Sequence, residues 1–301
     1  MTKKPAFWVV LSILGVAGSV LAFRLFPVAF PILSVSIGMD RSEALAQARE
    51  LDDDFGWGLG DFRQAASFGH LDPAFQTFME LEGGGLEELN RMVEEGTLQL
   101  YAWRVRHFTA GAVEETEVRF SAQGLPFGFR SRLSEETPGD SLTEEEARNL
   151  AVREASTHWG MDPSLFELLE SSQEEQSGGR LDHRFVFGRT DLSLGEASLR
   201  LRLVVSGSQL TEVTRFFHVP DAFLRRYQDT RNANETISLL GTIAFLLIFL
   251  VVGGGVGATH LIRKGWVEWK APLAWGGVVA GLMALGTVNA LPLAWMSYDT
   301  A

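Results

Sequence analysis

The chain has 301 residues, a hydrophobic fraction of 46% and a formal net charge of −12. A chain this acidic is repelled by phosphate backbones, so we exclude a nucleic-acid partner. It contains no cysteine, which excludes disulfide bonds, thiol catalysis and thiolate metal sites. The apolar residues are concentrated towards the two ends of the chain, and this distribution predicts a membrane protein.

The first hydrophobic segment predicts an N-terminal transmembrane signal anchor at residues 1–23. The run from Pro5 to Phe23 carries no charge and is about as long as a bilayer core requires of a helix. A cleaved signal peptide is the alternative, since the run ends in small and apolar residues. Pro27 and Pro31 predict that the helix stops there, and that residues 24–39 form an extended linker.

Two more hydrophobic runs predict transmembrane helices at residues 236–258 and 271–296. The loop between them, residues 259–270, contains Arg263, Lys264 and Lys270. Cytoplasmic loops are enriched in Lys and Arg, so this loop and the N terminus, with its Lys3 and Lys4, are predicted to be cytoplasmic. Residues 24–235 then lie outside the cytoplasm, and the expected location is a bacterial inner membrane.

The outward region predicts two similar units, residues 40–133 and residues 134–220. Each begins with a helix and a capping box, formed by Asp40 with Glu43 in the first unit and by Thr143 with Glu146 in the second. Each is predicted to end in a hairpin with a glycine turn. Around these turns Arg119, Gly124 and Arg132 recur as Arg202, Gly207 and Arg215 with the same internal spacing. Duplication of one helix-and-sheet unit is the natural interpretation.

Further elements complete the predicted units. Strands are expected at residues 75–82, 101–108 and 182–189, and a helix at residues 86–96. Residues 221–235 predict a polar juxtamembrane helix that runs into the second span. The fold class is therefore an α+β extracytoplasmic domain, made of two helix-on-antiparallel-sheet units, with three transmembrane α-helices.

A helix followed by a small antiparallel sheet resembles PepSY-like extracytoplasmic domains. More of the chain, including FRLFPVAFPILSVSIGMDRSEALAQARE, YAWRVRHF, RLRLVVSG, RRYQDTRNANETI and LPLAWMSYDTA, resembles the N-terminal region of certain large bacterial membrane proteins. These belong to the CPBP (CAAX protease and bacteriocin-processing) family of intramembrane metalloproteases. The resemblance implies an accessory or regulatory region that presents substrate to a membrane protease domain or restrains it.

The residues that the CPBP family uses for catalysis are not expected in this chain. Residues 114–119 match the family's EExxxR pattern, but they lie on a predicted outward strand, where consecutive side chains point to opposite faces. No FxxxH pattern occurs, and the six histidines are dispersed. We therefore predict no catalytic residue, metal ligand or cofactor here; a divalent metal such as zinc is implied only for a missing downstream protease domain. Residues 297–301 are expected to be an outward, truncated end.

A free-standing envelope sensor or peptide-binding interaction protein is the rival hypothesis, since sheet edges accept extended peptides by strand addition. The expected partners are the lipid bilayer, a downstream or separate membrane protease domain, and a peptide or protein substrate. The chain alone would then be inactive as an enzyme.

The remaining candidate sites are sites of contact. GxxxG spacing and one amide predict helix packing in the second and third spans, at Gly253, Gly257, Gly277, Gly281 and Asn289. Basic residues just outside the second span predict contact with lipid headgroups or a partner, at Arg225, Arg226 and Arg231. The acidic run Asp52, Asp53 and Asp54 is expected to be a solvated helix face.

Overall fold

The structure is a computed structural model that describes residues 5–29, 35–57, 60–192, 194–266 and 268–298. It contains an eight-stranded antiparallel sheet with helices, and three helices long and apolar enough to cross a membrane. The predicted α+β fold class is confirmed.

The first unit begins with helix α2 (Arg41–Phe55), which follows the long helix α1 (Pro5–Ala29). Both hydrogen bonds of the predicted capping box are present, between the side chain of Asp40 and the backbone of Glu43 and in reverse. The remaining elements of the unit are β1 (Arg63–His70), α3 (Pro73–Leu81), α4 (Gly85–Glu94), β2 (Tyr101–Phe108), β3 (Glu115–Phe120) and β4 (Pro126–Arg132).

The second unit repeats this order without the helical insert. Helix α5 (Glu144–His158) begins at the capping box of Thr143 and Glu146. A short 3-10 turn and four strands follow it: Pro163–Leu165, β5 (Phe166–Glu175), β6 (Leu181–Arg189), β7 (Ser198–Ser206) and β8 (Gln209–His218). Each unit is thus a helix followed by a four-stranded meander.

The two meanders form one continuous sheet in the order β1-β2-β3-β4-β8-β7-β6-β5. The last strands of the units meet at the centre, where Phe129 pairs with Val213 and Arg130 pairs with Glu212. The strand order of the second unit is the reverse of the first, as expected when two copies of one unit join through the same edge strand.

Helices α2 and α5 cover one face of the sheet with small side chains. Ala44 and Ala48 of α2, together with Ala147, Ala151 and Ala155 of α5, are fully buried. Alanine at these positions lets the helix backbones lie close to the sheet, whose strands supply the larger apolar side chains of the core.

The strand predicted at residues 75–82 is wrong, because this segment is helix α3. Asp72 caps the helix by accepting a hydrogen bond from the backbone N–H of Phe75, and Pro73 occupies its first turn. Phe75, Phe78 and Met79 share one buried face at helical spacing. Helix α4 confirms the helix predicted in the insert, whereas β1 and β5 were not predicted.

The insert of the first unit packs against the second unit and forms a second hydrophobic cluster. The ring of Phe75 stacks on Phe217 of β8 with 3.7 Å between centroids. Phe78 meets the edge of Phe223 at 5.2 Å, and Phe223 is a buried residue of the first turn of α6 (Asp221–Leu246). This helix is therefore anchored in the sheet domain before it enters the apolar span.

The apolar helices continue further than the individual predicted segments. Helix α6 leads through a π-helical segment, Leu247–Gly257, into α7 (Ala258–Arg263), and the third span is α8 (Lys270–Ala294). Helix α1 extends to Ala29, so the helix does not stop at Pro27 as predicted. Because Pro27 has no N–H, the hydrogen bond that this position would donate to the carbonyl of Phe23 is lost from the end of the helix. Pro31 lies outside the described residues.

Candidate functional site

A cavity of about 390 Å³ opens at one end of the sheet. Strand β1 ends there, β2 begins there, and the hairpin between β3 and β4 closes one side. The last residues of β8 and the C-terminal end of α5 form the opposite side, so both units contribute to its walls. Its apolar walls include Leu98, Leu125, Phe127, Trp159, Leu199, Phe216 and Phe217.

Four arginines line this cavity, although the whole chain is strongly acidic: Arg104, Arg119, Arg189 and Arg215. They come from β2, β3, β6 and β8, which brings together residues more than a hundred positions apart. The carboxylate that lines the cavity is Asp72, which is already engaged as the N-cap of α3. The cavity is therefore a basic site in an acidic protein.

Two of the four arginines have acidic partners. Nε of Arg119 is 2.8 Å from Oε1 of Glu117, and Arg189 binds both oxygens of Asp191 at 2.7 and 3.0 Å. Within the described part of the chain, neither Arg104 nor Arg215 forms an ion pair. These two guanidinium groups carry the uncompensated positive charge of the site.

The position of Arg215 is fixed by backbone carbonyls. Its guanidinium donates hydrogen bonds to the carbonyl oxygens of Phe127, Trp159 and Gly160, at 2.8 Å for Trp159 and 3.1 Å for Gly160. Burial, followed by the charge of nearby Arg189, lowers the pKa of Arg215 to about 10. A preorganised cation next to a second cation attracts anions.

A second polar cluster lies beneath α2 and involves Asp52 and His107. Both side chains are buried, so the prediction that Asp52 is part of a solvated face is wrong. Asp52 continues the four-residue spacing of the buried Ala44 and Ala48, and the buried Ala155 stands at the matching position in α5, so this spacing was the available signal that the acid faces the sheet. Asp53 and Asp54 are exposed, as expected.

The hydrogen bonds around His107 define its neutral form. Its Nε2 lies 2.9 Å from the amide nitrogen of Gln64, which donates, so Nδ1 carries the ring proton. Nδ1 is 3.9 Å from Oδ1 of Asp52, beyond hydrogen-bond distance. Burial, with a smaller contribution from Arg49, lowers the pKa of His107 to about 4, and burial raises the pKa of Asp52.

The EExxxR match at residues 114–119 forms ion pairs on the sheet. Glu115 is 2.6 Å from Nη2 of Arg106 and 3.5 Å from Nη1 of Arg132, and Glu117 binds Arg119. Across the described ranges, no group of three or more His, Asp or Glu side chains converges in a way that would hold a metal ion.

Of the glycines predicted for helix packing, Gly253, Gly277 and Gly281 are exposed on the second and third spans, and Gly257 is half-buried. A methyl group added at Gly253, Gly277 or Gly281 would meet no atom within 4 Å among the described residues, and one at Gly257 would meet only its own helix. Asn289 is exposed in α8. The structure thus shows no contact between spans at these positions, and their role in packing stays a prediction.

The basic residues predicted to contact lipid or a partner lie along the exposed part of α6. Arg226 pairs within the chain, at 2.7 Å from Glu82 at the end of α3, and Arg231 is 3.4 Å from Glu235 on its own helix. Arg225 is exposed. Contact with lipid or a partner stays a prediction for all three.

No family model matches this sequence, and no curated protein matches it. Among solved structures, the C-terminal domain of Bacillus megaterium YpeB is similar over 61% of this chain and 70% of its own length, with 11% identity and a TM-score of 0.33. A likeness of this size leaves the function to be argued from the residues of the chain itself.

Proposed function

We propose that this chain is a membrane-anchored binding module whose sheet domain lies outside the cytoplasm and which has no catalytic residues of its own. The observation that carries the proposal is the arginine-lined cavity, which lies between the two units of the domain. Its walls include Phe217, whose ring stacks on Phe75 in the same cluster that holds Phe223 at the start of α6. A ligand in the cavity would therefore contact the cluster that holds the start of α6, the helix that leads into the second span.

The proposed orientation rests on one contact and one charge pattern. Tyr298, at the end of the third span, accepts a hydrogen bond from Arg106 of β2, so the second and third spans begin and end beside the sheet domain. Their connection then lies across the membrane, and it carries Arg263, Lys264 and Lys270. Basic loops stay in the cytoplasm, which supports an extracytoplasmic sheet domain in a bacterial inner membrane.

Cysteine labelling tests this orientation directly, because the chain has no cysteine of its own. Ser177→Cys places a thiol in the exposed turn between β5 and β6, and Glu268→Cys places one in the connection between spans. In intact spheroplasts, a membrane-impermeant maleimide should label the first variant and not the second. Labelling of the second variant before permeabilisation would overturn the orientation.

The finer form of the proposal is that the module regulates a CPBP-type intramembrane metalloprotease by presenting or restraining its substrate. Support comes from the sequence resemblance and from the unbroken path of α6 out of the sheet domain. The chain alone, supplied with zinc, should not hydrolyse peptides, whereas fusion to a CPBP protease domain should change that domain's cleavage rate several-fold. Metal-dependent hydrolysis by the chain alone would contradict the absence of catalytic residues.

A free-standing envelope sensor or peptide-binding protein is the second candidate function. The cavity favours it, because a site formed by both units is complete within this chain. Ligand binding by the isolated full chain supports this candidate, whereas binding seen only after fusion to a protease domain supports the first.

A further inference from the structure

We propose that the arginine-lined cavity binds an organic carboxylate that carries an apolar group, such as the C-terminal residue of a peptide. This inference rests on the proposed binding function and names the class of ligand.

Unfavourable charge contacts within the cavity are the first support. Arg104 and Arg119 are directly opposite each other on β2 and β3. Like charges at opposed positions of a sheet destabilise it, and the pairing of Arg119 with Glu117 offsets only part of this cost. An anion bound between the two guanidinium groups would convert this repulsion into attraction.

The same situation recurs on the other side of the cavity. Arg189 lies close enough to Arg215 for its charge to lower the pKa of Arg215. Arg215 cannot move away without losing three hydrogen bonds to carbonyl oxygens. Two pairs of like charges therefore line one cavity, and a bound anion would relieve the pair that it contacts.

The charge balance favours a single negative charge on the ligand. Four guanidinium groups line the cavity, and three carboxylates stand among or beside them: Asp72, Glu117 and Asp191. One net positive charge remains when the helix-capping Asp72 is counted against the two arginines without ion pairs, and this balance suits a carboxylate better than a doubly charged phosphate. A guanidinium group also matches the two oxygens of a carboxylate in a planar, bidentate arrangement.

The walls of the cavity select for an apolar group beside the charge. Phe127 and Phe217 contribute aromatic surface beside the arginines, with the ring centre of Phe127 5.9 Å from the guanidinium carbon of Arg215. The volume of about 390 Å³ is that of a small-ligand site. A carboxylate attached to a large apolar side chain fills such a site, as the last residue of a peptide does. The exposed side chain of Leu125 stands at the rim, where a longer peptide would leave the cavity.

Titration calorimetry on the full chain in nanodiscs of zwitterionic lipid tests the proposal. The probes are a hexapeptide ending in phenylalanine with a free carboxylate, the same hexapeptide with a C-terminal amide, and decanoate. We expect the free-acid peptide to bind about tenfold or more tightly than the amide, and Arg104→Ala to remove most of that difference. Arg104 is exposed and unpaired, so its loss should leave the fold intact.

Two further variants complete the test. Arg215→Lys keeps a positive charge but loses the planar guanidinium group that can donate two hydrogen bonds to a carboxylate. It should weaken binding of the free acid at least severalfold. Arg184→Ala, at an exposed position of β6 outside the cavity, is the matched control and should bind as the wild type does. If decanoate matches the peptide, the carboxylate class stands and its source is an acyl chain.

The possible failures are distinguishable. Equal binding of the acid and the amide, unaffected by Arg104→Ala, would keep the proposed binding function and overturn the carboxylate class. Absence of binding by all three probes at millimolar concentration would overturn this inference. It would not affect the proposed topology, which cysteine labelling tests, or the proposed lack of catalysis, which the peptide hydrolysis assay tests.

Discussion

Nη1 of Arg106 donates a hydrogen bond to the backbone carbonyl of Tyr298 over 2.6 Å, while Nε and Nη2 of the same guanidinium bind Glu115 at 2.7 and 2.6 Å. One side chain thus ties β2 to β3 and to the end of the third span. Nearby, the guanidinium of Arg63 lies 4.9 Å from the ring centre of Trp295. Trp295 and Tyr298 thus both contact the sheet domain.

Loss of this link should free the end of the third span. We expect Arg106→Ala to increase hydrogen exchange at residues 296–298 at least severalfold, because the guanidinium donor to the Tyr298 carbonyl and the ion pair with Glu115 are lost together. Mass spectrometry of the full chain in nanodiscs measures this. Arg132→Ala is the control, since Arg132 also pairs with Glu115, at 3.5 Å, but does not reach α8. Equal exchange in wild type and Arg106→Ala would contradict the link.

Because His107 is buried and its pKa is lowered, we expect the folded chain to lose stability in mild acid. Its pKa is about 4 in the folded chain against 6.5 ordinarily, so between these values the unfolded chain binds a proton that the folded chain does not. Stability should therefore fall by about 2 kcal/mol from pH 7 to pH 5. Burial raises the pKa of Asp52, so this carboxyl binds a proton more readily in the folded chain than in the unfolded chain and offsets part of the loss of stability as the pH falls.

Pulse proteolysis in urea, on the full chain in micelles, measures that dependence. His107→Gln removes the titrating group and should flatten the curve between pH 7 and pH 5, even if it lowers stability overall. His158→Gln, at an exposed position at the end of α5, should leave the slope unchanged. A His107→Gln curve as steep as that of the wild type would exclude His107 as the cause.

The buried alanines of α2 and α5 pack against the sheet, so we expect larger side chains at these positions to destabilise the fold. Ala151→Leu forces a bulky side chain between α5 and the sheet, and should cost about 1 to 3 kcal/mol of unfolding free energy. Arg153→Leu, at an exposed position of the same helix, should change stability by less than about 0.5 kcal/mol. Urea midpoints for both variants measure the difference, and equal midpoints would mean that the helix does not pack closely.

Strand β5, at the edge of the sheet, has features that should prevent the chain from pairing with a second copy of itself. It is an edge strand with almost every residue exposed, and it has a bulge between Leu168 and Glu170. Charges and bulges discourage pairing with another chain. Glu170→Val combined with Glu174→Val should therefore produce oligomers in sedimentation velocity. Glu50→Val with Glu87→Val, which makes the same charge change on exposed helix positions, should stay as the wild type.

Local features of the sequence were enough to predict many elements of the fold. The capping boxes of α2 and α5 depend on residues three positions apart. The central hairpins depend on Gly124 and Gly207, which adopt positive φ angles of 90° and 63°. The apolar runs were sufficient to identify three candidate spans. Each of these signals lies within one short segment, so the sequence contains the whole of it.

The candidate site was not predictable in this way. Arg119 and Arg215 stood out in the sequence only as markers of the repeat, and Arg104 and Arg189 did not stand out at all. The available signal was the occurrence of arginines near strand ends in an acidic chain, which is too common to identify a site. Similarly, the apolar residues of α3 fit a strand or a helix equally until its packing partners are known.

The sequence by itself determined that this protein has two similar helix-and-strand units between apolar spans, because helix caps, glycine turns and hydrophobic runs act over a few residues. Only the tertiary structure decided that the units share one sheet, that Asp52 is buried beside His107, and that four arginines meet in one cavity. Burial and charge environment depend on neighbours distant in the chain, and pairing of β4 with β8 creates those neighbours.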